Sequence, residues 1–193
     1  PASVCGQVCP NLCVDECNRR NIDEPVKVDS LGIMSKDINV EPTQIELDNK
    51  IAIIGSGVAG LGAAWQLRKM GYKVDVFEQD EIFGGKLKQV IPGDRLAQDI
   101  LETELQRILD IGINVKTNTK VDKELFKQIE NDYDAVVVST GAHNPVVIPF
   151  EGKERLVKGL DFLKEINKGG KQEVGEKVVV HVFVVLVRPQ HRM

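Results

Sequence analysis

The sequence predicts an α/β chain: a mostly parallel sheet with helices on both faces, preceded by a small helical segment that carries cysteines. Three observations predict it. Short apolar strands alternate with amphipathic helices through residues 46–150. A glycine-rich turn, GSGVAG at residues 55–60, lies between the first strand and the first helix. All four cysteines fall within the first 17 residues, and none follows.

Each element has its own signal. Residues 50–54 (KIAII) form a short continuous apolar run, the mark of a strand buried on both faces. The glycine turn follows. Residues 61–70 (LGAAWQLRKM) then place small and apolar residues at helical spacing, and Gly71 ends that helix. Residues 73–77 (KVDVF) are a second strand, closed by Glu78. Strand, glycine turn, helix and strand make a βαβ unit. An amphipathic helix fits 97–111, with Ile100, Leu101, Leu105, Ile108 and Leu109 on its apolar side and Gly112 at its end. A short strand at 113–116, a helix at 123–131 and a strand at 135–139 (AVVVS) complete the alternation. The loop 167–176 (NKGGKQEVGE) is a boundary. The run 178–187 beyond it is β-branched and reads as strand, interrupted by His181. Three units result: a helical cysteine segment at 1–45, an α/β domain at 46–150, and a connection with a further strand at 151–193.

Composition removes several function classes. The 193 residues are 42% hydrophobic and 28% charged, a balance that supports a packed core. A net charge of −4 and 5% aromatics argue against a nucleic-acid partner. No apolar run approaches the roughly 18–20 residues that cross a bilayer, and no basic-then-apolar leader is visible. A cytoplasmic protein without a membrane partner is expected.

The glycine turn carries the first chemistry. Gly55 permits the tight turn, Gly57 lets the backbone approach a pyrophosphate, and Gly60 lets the helix pack on the sheet. The helix N-terminus presents free N–H groups and partial positive charge to the phosphates. Glu78 ends the second strand 18 residues after Gly60, where a carboxylate reaches a ribose hydroxyl and repels a 2′-phosphate. This is a Rossmann-like arrangement. Gly84 and Gly85 offer a second backbone approach, although alone they read as an ordinary turn. With Thr140-Gly141 closing a later strand, the pattern is similar to the FAD domain of flavoproteins that contain two dinucleotide-binding folds.

The cysteines carry the second. Their pattern is C-x3-C-x3-C-x3-C: Cys5, Cys9, Cys13 and Cys17, with Pro10 after the second. A disulfide scaffold would spread cysteines through the fold. Structural zinc favours C-x2-C pairs set apart, whereas iron–sulfur sites show several short spacings and a proline after a cysteine. A spacing of four on a helix would set the thiolates on one side, which suits a docked cluster. Zinc and buried free thiols are the alternatives.

Taken together these motifs make the chain recognisable. It resembles the N-terminal half of the small subunit of NADPH-dependent glutamate synthase, a module that recurs in the N-terminal region of dihydropyrimidine dehydrogenase. The carriers are VCGQVCPNLCVDECN, PVKV, KIAIIGSGVAGLGAAWQLRKMGYKVDVFE, GGKLKQVIPGDRL, ILETELQRILDIGINV, YDAVVVSTGAH and GLDFLKEINKG, in the family's order, from residue 4 to about residue 180. The resemblance implies an NAD(P)H-dependent oxidoreductase. In the family, hydride from NAD(P)H reaches FAD, and electrons leave singly through [4Fe–4S] clusters in an N-terminal helical domain. It assigns Cys9, Cys13 and Cys17 as cluster ligands. Cys5 matches a cysteine that is not a ligand in every member. It places a further Gln or Glu ligand near Gly32, which has no side chain to ligate. For FAD it assigns Gly55, Ser56, Gly57, Ala59 and Gly60 to the pyrophosphate, and Glu78 to the adenosine ribose. Gly84, Gly85 and Lys86 follow toward the flavin. Arg95 lies near FAD, where its guanidinium could pair with phosphate, with a surface arginine at a helix start as the alternative. Val8 lies against the flavin, Val121 on the adenine side, and Thr140 and Gly141 on the floor. His143 follows them and reads as a loop histidine.

The resemblance breaks at residues 177–180 (KVVV), which continue as HVFVVLVRPQHRM with no glycine after Gly175. A phosphate-binding turn without glycine cannot bring backbone to a pyrophosphate. The expectation is therefore an absent NAD(P)H site and a truncated or frameshifted copy. A large catalytic subunit or a fused downstream domain is the expected partner. The expected function is an electron-transfer flavoprotein module. The alternatives are an inactive truncated remnant or non-catalytic subunit, and a zinc-bearing interaction domain fused to a nucleotide-binding fold.

Overall fold

The computed structural model describes residues 2–38, 41, 44–147 and 149–180. Four strands form one parallel sheet: β1 (Lys50–Ile54), β2 (Lys73–Phe77), β3 (Asn114–Lys116) and β4 (Ala135–Val138), in the order β3-β2-β1-β4. β1 is central. Ile53 pairs with Val76 of β2 on one side and Val137 of β4 on the other. β1 and β2 have the expected limits.

The helices between them cover both faces, as the alternating pattern requires. α4 (Val58–Lys69) and α6 (Gln98–Asp110) cover one face. There Ile53, Val74 and Val76 meet Leu61, Ala64, Leu101, Leu105 and Ile108. α7 (Lys123–Asp132) covers the other, where Ala52 and Phe77 meet Ile129. Each such fully buried aliphatic side chain contributes about 1.5–3 kcal/mol relative to exposure. α4 starts one turn earlier than the hydrophobic spacing indicates, because Val58, Ala59 and Gly60 of the glycine motif already form its first turn. α7 is capped by Asp122, whose carboxylate accepts from the amides of Glu124 and Leu125 at 3.0 and 2.9 Å. Two further helices, α5 (Lys86–Gln89) and α8 (Gly159–Asn167), contact each other. Asn167 donates to the Ile91 carbonyl oxygen at 2.9 Å and ties α8 to the loop after α5.

The N-terminal segment is helical but broken. α1 spans Ala2–Val8, α2 Leu12–Asp15 and α3 Val28–Met34. This corrects the expectation that the cysteine spacing places four thiols on one side of a helix. α1 stops at Val8, Pro10 has no amide hydrogen to continue it, and Asn11 takes a left-handed conformation with φ 57°. Cys5 lies on α1 and Cys13 on α2, while Cys9 and Cys17 lie in the connections.

α1 packs against α3 and α6. Val4 joins the same core as Ile53. The buried Glu104 of α6 accepts from the Ser3 amide at 3.4 Å, from the Ser3 hydroxyl and from Arg107 at 3.2 Å. Arg107 in turn donates to the Ser35 carbonyl oxygen at 3.0 Å. A buried carboxylate needs such partners, since an unpaired charge is costly there.

Of the expected strand at 178–187, residues 178–180 are exposed and carry no strand. The remainder, with His181 and His191, lies outside the described residues. Among the described residues no helix is long and apolar enough to cross a membrane.

Candidate functional site

The site is built where β1 ends. Gly55 turns the chain with φ 100°, and a Cβ there would lie 2.6 Å from the Ser139 carbonyl oxygen. Only glycine suits both the conformation and the contact. Gly60 presses α4 onto the turn: its Cβ would lie 2.0 Å from the Gly55 carbonyl oxygen. At Gly57 a Cβ would meet no protein atom within 4 Å. Protein packing therefore does not demand glycine at this lining position, but close approach of a ligand to the backbone would.

Glu78 ends β2 and is buried. Its backbone is clamped on both sides, with its amide donating to the Lys116 carbonyl oxygen at 2.9 Å and its carbonyl accepting from Thr119 at 2.7 Å. Its carboxylate faces the glycine turn. Oε2 accepts from the Ser56 amide at 2.9 Å and from the Ser56 hydroxyl. Oε1 accepts from the Asp80 amide at 3.0 Å. Ser56 is fully buried. It also receives the Gly84 amide, at 3.1 Å on its carbonyl oxygen and 3.2 Å on its hydroxyl. Gly85 then passes so close to the turn that a Cβ would stand 2.8 Å from Gly57 Cα.

These groups enclose a cavity of about 340 Å³ at the carboxyl end of the sheet. Gly55, Ser56, Gly57, Ala59, Glu78, Gly85, Lys86, Val121, Thr140, Gly141 and His143 line it. Gly60 and Gly84 stand behind the lining and shape it. Lys86 Nζ donates to the Ala142 carbonyl oxygen at 2.8 Å, bridging α5 to the segment after β4. Arg95 is elsewhere: its guanidinium donates to the Val8 carbonyl oxygen at 3.2 Å, joining those two residues to each other.

Sequence reasoning missed Asp80, Gln89 and Lys120, and read Ser139 only as part of the Ser139-Thr140-Gly141 strand end; all four line the cavity. Gln89 donates to Asp80 at 2.7 Å. The Ser139 hydroxyl donates toward the Ile54 and Gly55 carbonyl oxygens at 3.1 and 3.0 Å and fixes the floor to the turn. A serine at the end of an apolar strand was the only signal available for it.

The cysteines are free. Cys5 and Cys13 are exposed, and Cys9 and Cys17 are half-buried. Backbone hydrogen bonds from Val26 and Arg19 hold the Cys17 thiol below the ordinary thiol range. Among the described residues no three His, Cys, Asp or Glu side chains are grouped to hold a metal. As placed, the four thiols do not by themselves fit a cluster.

Comparison with known proteins matches residues 49–181 to the family described as pyridine nucleotide-disulphide oxidoreductase. The chain is 33% identical over 214 residues to the NADP(+)-dependent formate dehydrogenase subunit beta of Moorella thermoacetica, covering 94% of this chain and 30% of that protein. It is 34% identical over 177 residues to the NAD-dependent dihydropyrimidine dehydrogenase subunit PreT of Salmonella typhimurium, covering 86% and 43%. It is 34% identical over 170 residues to glutamate synthase [NADH] of Schizosaccharomyces pombe, covering 83% and 8%. The chain thus spans less than half the length of each of these relatives. Among solved structures, FprA of Mycobacterium tuberculosis in complex with NADPH shares the fold, with a TM-score of 0.55 at 22% identity, covering 62% of this chain and 29% of that one.

Proposed function

The chain belongs to the pyridine nucleotide-disulphide oxidoreductases, a family of NAD(P)H-dependent redox enzymes, and from that premise we propose that it is the FAD-holding electron-transfer module of an NAD(P)H oxidoreductase. The observation that carries this reading is the single wall formed by the glycine turn, Glu78 and Gly85 around the cavity. At Gly55 and at Gly85 two further backbone stretches come so close that no side chain fits, and one carboxylate closes the end.

The residues fit the adenosine diphosphate half of FAD. The first turn of α4 would face the pyrophosphate, where its unpaired amides and partial positive charge favour an anion. Lys86 and Lys120 add two cations to the lining. Glu78 would accept from the adenosine ribose and exclude a 2′-phosphate by charge. Val121 would cover the adenine. Thr140, Gly141 and His143 would border the path toward the flavin. Bound FAD would supply the redox chemistry, taking a hydride as an electron pair and passing electrons on singly.

The units 1–45, 46–150 and 151–193 are part of the same proposal, as is a cytoplasmic setting. Assignment of Cys9, Cys13 and Cys17, with Cys5 as a weaker member, to [4Fe–4S] ligation rests on the sequence resemblance. Among the described residues no three of them are grouped. A partner subunit or fused domain is supported by the short span of the relatives that the chain covers, two of which are themselves named as subunits. A second reading, a non-catalytic subunit that keeps the FAD site, is favoured by the absence of glycine after Gly175.

The test is anaerobic purification with a visible spectrum and with iron, sulfide and zinc measured on the same sample. A structured flavin band supports the FAD reading, and bleaching by NADPH separates the first reading from the second. A protein that stays colourless after incubation with FAD overturns both.

A further inference from the structure

Resting on the reading of Glu78 as the ribose-holding carboxylate, we propose that Ser56 is a positioning residue that makes Glu78 accept only one ribose hydroxyl. A carboxylate offers about four lone-pair directions, two on each oxygen. Oε2 is taken twice by one residue, through the Ser56 amide at 2.9 Å and the Ser56 hydroxyl. Oε1 is taken once, by the Asp80 amide at 3.0 Å. One direction on Oε1 remains for a ligand.

Ser56 cannot serve the ligand through its own side chain. It is fully buried, its single hydroxyl proton is spent on Glu78, and the same oxygen receives the Gly84 amide at 3.2 Å. It acts through Glu78. By holding Oε2 it fixes the plane of the carboxylate and turns Oε1 outward. An alanine would keep the amide contact but release the side of Oε2 that the hydroxyl occupies. The carboxylate could then rotate and offer acceptors to both hydroxyls of a ribose. The consequence is positional selectivity on the sugar: one of its two hydroxyls is read and the other is not.

The experiment is calorimetric titration of the full chain with ADP, 2′-deoxy-ADP, 3′-deoxy-ADP and 2′,3′-dideoxy-ADP. In the wild-type protein, one monodeoxy analogue is expected to bind about tenfold more weakly than ADP, the loss of one charge-assisted hydrogen bond, and the other within about twofold. In Ser56→Ala the two monodeoxy analogues should bind within about twofold of each other, because neither hydroxyl is then singled out, while dideoxy-ADP binds within about twofold of its wild-type affinity. Ser56→Gly removes the same hydroxyl and adds no volume. It should give the same readout and stands in if the alanine variant does not fold. In a Glu78→Gln background, Ser56→Ala should no longer change the ratio. The proposal is overturned if both monodeoxy analogues lose equally in the wild type, or if Ser56→Ala weakens all four nucleotides by one common factor. Failure of the wild type to bind ADP or FAD at all overturns the dinucleotide reading itself, an outcome distinct from either.

Discussion

Gly6 and Gly32 are the crossing point of α1 and α3. A Cβ on Gly6 would lie 2.7 Å from the Asp29 carbonyl oxygen and 2.7 Å from the Ile33 amide nitrogen, and one on Gly32 would lie 2.8 Å from the Ala2 carbonyl oxygen. The two backbones touch, so neither position has room for a side chain. Gly32→Ala should therefore separate the helices and cost about 1–3 kcal/mol, the usual range for overpacking. Hydrogen exchange checks the location of the effect. Protection should fall in α1 and α3, with β1 and β2 unchanged. Unaltered exchange in α1 would mean that the crossing tolerates a methyl group.

Gly60 and Gly62 sit two positions apart on α4 and should respond oppositely to alanine. At Gly60 the new Cβ meets the Gly55 carbonyl oxygen at 2.0 Å and Ser139 Oγ at 2.6 Å. The turn must open, and ADP affinity should fall by at least about tenfold if the backbone of that turn cradles phosphate. At Gly62 nothing lies within 4 Å. Alanine there should stabilise the helix by about 0.5–1 kcal/mol and leave nucleotide binding alone. Thermal unfolding and calorimetric titration of the two variants decide it.

Glu104 holds the N-terminal segment to α6. Replacing it with alanine strands the Ser3 hydroxyl and leaves Arg107 without its carboxylate. Urea unfolding should show a loss of about 3 kcal/mol, the lower end of the range for breaking a buried pair. Ser3→Ala removes one hydrogen-bonding group and should cost about 1 kcal/mol. Equal losses from the two substitutions would mean that Arg107 contributes nothing to the contact.

The pH dependence centres on Asp75. Burial alone would push its carboxyl up, but Lys116, Tyr133 and Asn114 together outweigh burial and hold it below its ordinary value of 3.8. The Asp75 contact raises Lys116, partly opposed by burial, above its ordinary 10.5. Burial and then Asp75 raise Tyr133 above 10.0. A depressed carboxyl contributes stability that is complete above its unfolded value and is lost as pH falls through its folded value. A raised lysine or tyrosine contributes stability that is complete below its unfolded value and is lost as pH rises through its folded value. The unfolding free energy of wild type minus Asp75→Asn should therefore be flat from about pH 5 to 9, and should shrink below about pH 4 and above about pH 10. A difference that stays constant through both ends would sink the assignment.

Residues 50–54 and 73–77 were readable to the residue, because a parallel strand buried on both faces needs a short unbroken apolar run bounded by turn residues. That Gly55, Gly57 and Glu78 come together around one cavity was readable for a related reason. Their placement is local, fixed by spacing within one βαβ unit. Positions whose role depends on distant chain were not. Ser139 earns its place by meeting a turn 84 positions earlier. Gly32 suggests a missing ligand until α1 is seen lying across it. The cysteine quartet misled for a different reason. A spacing of four aligns side chains only while a helix continues, and the Pro10-Asn11 pair that stops it was visible in the sequence.

The same long separation has a consequence for how the protein is made. A chain emerges from the ribosome with its N-terminus first. The glycine turn, α4 and β2 emerge as one local unit and can pair early. The strand that closes the other side of β1, and the serine that seals the turn from below, are translated only 84 residues after Gly55. Until then, β1 presents a bare apolar edge to the cell, and parallel pairing at such range is slow. Closure of the cavity thus belongs to a late stage of biogenesis. A nascent chain paused before residue 135 carries the whole glycine signature yet has no floor beneath it.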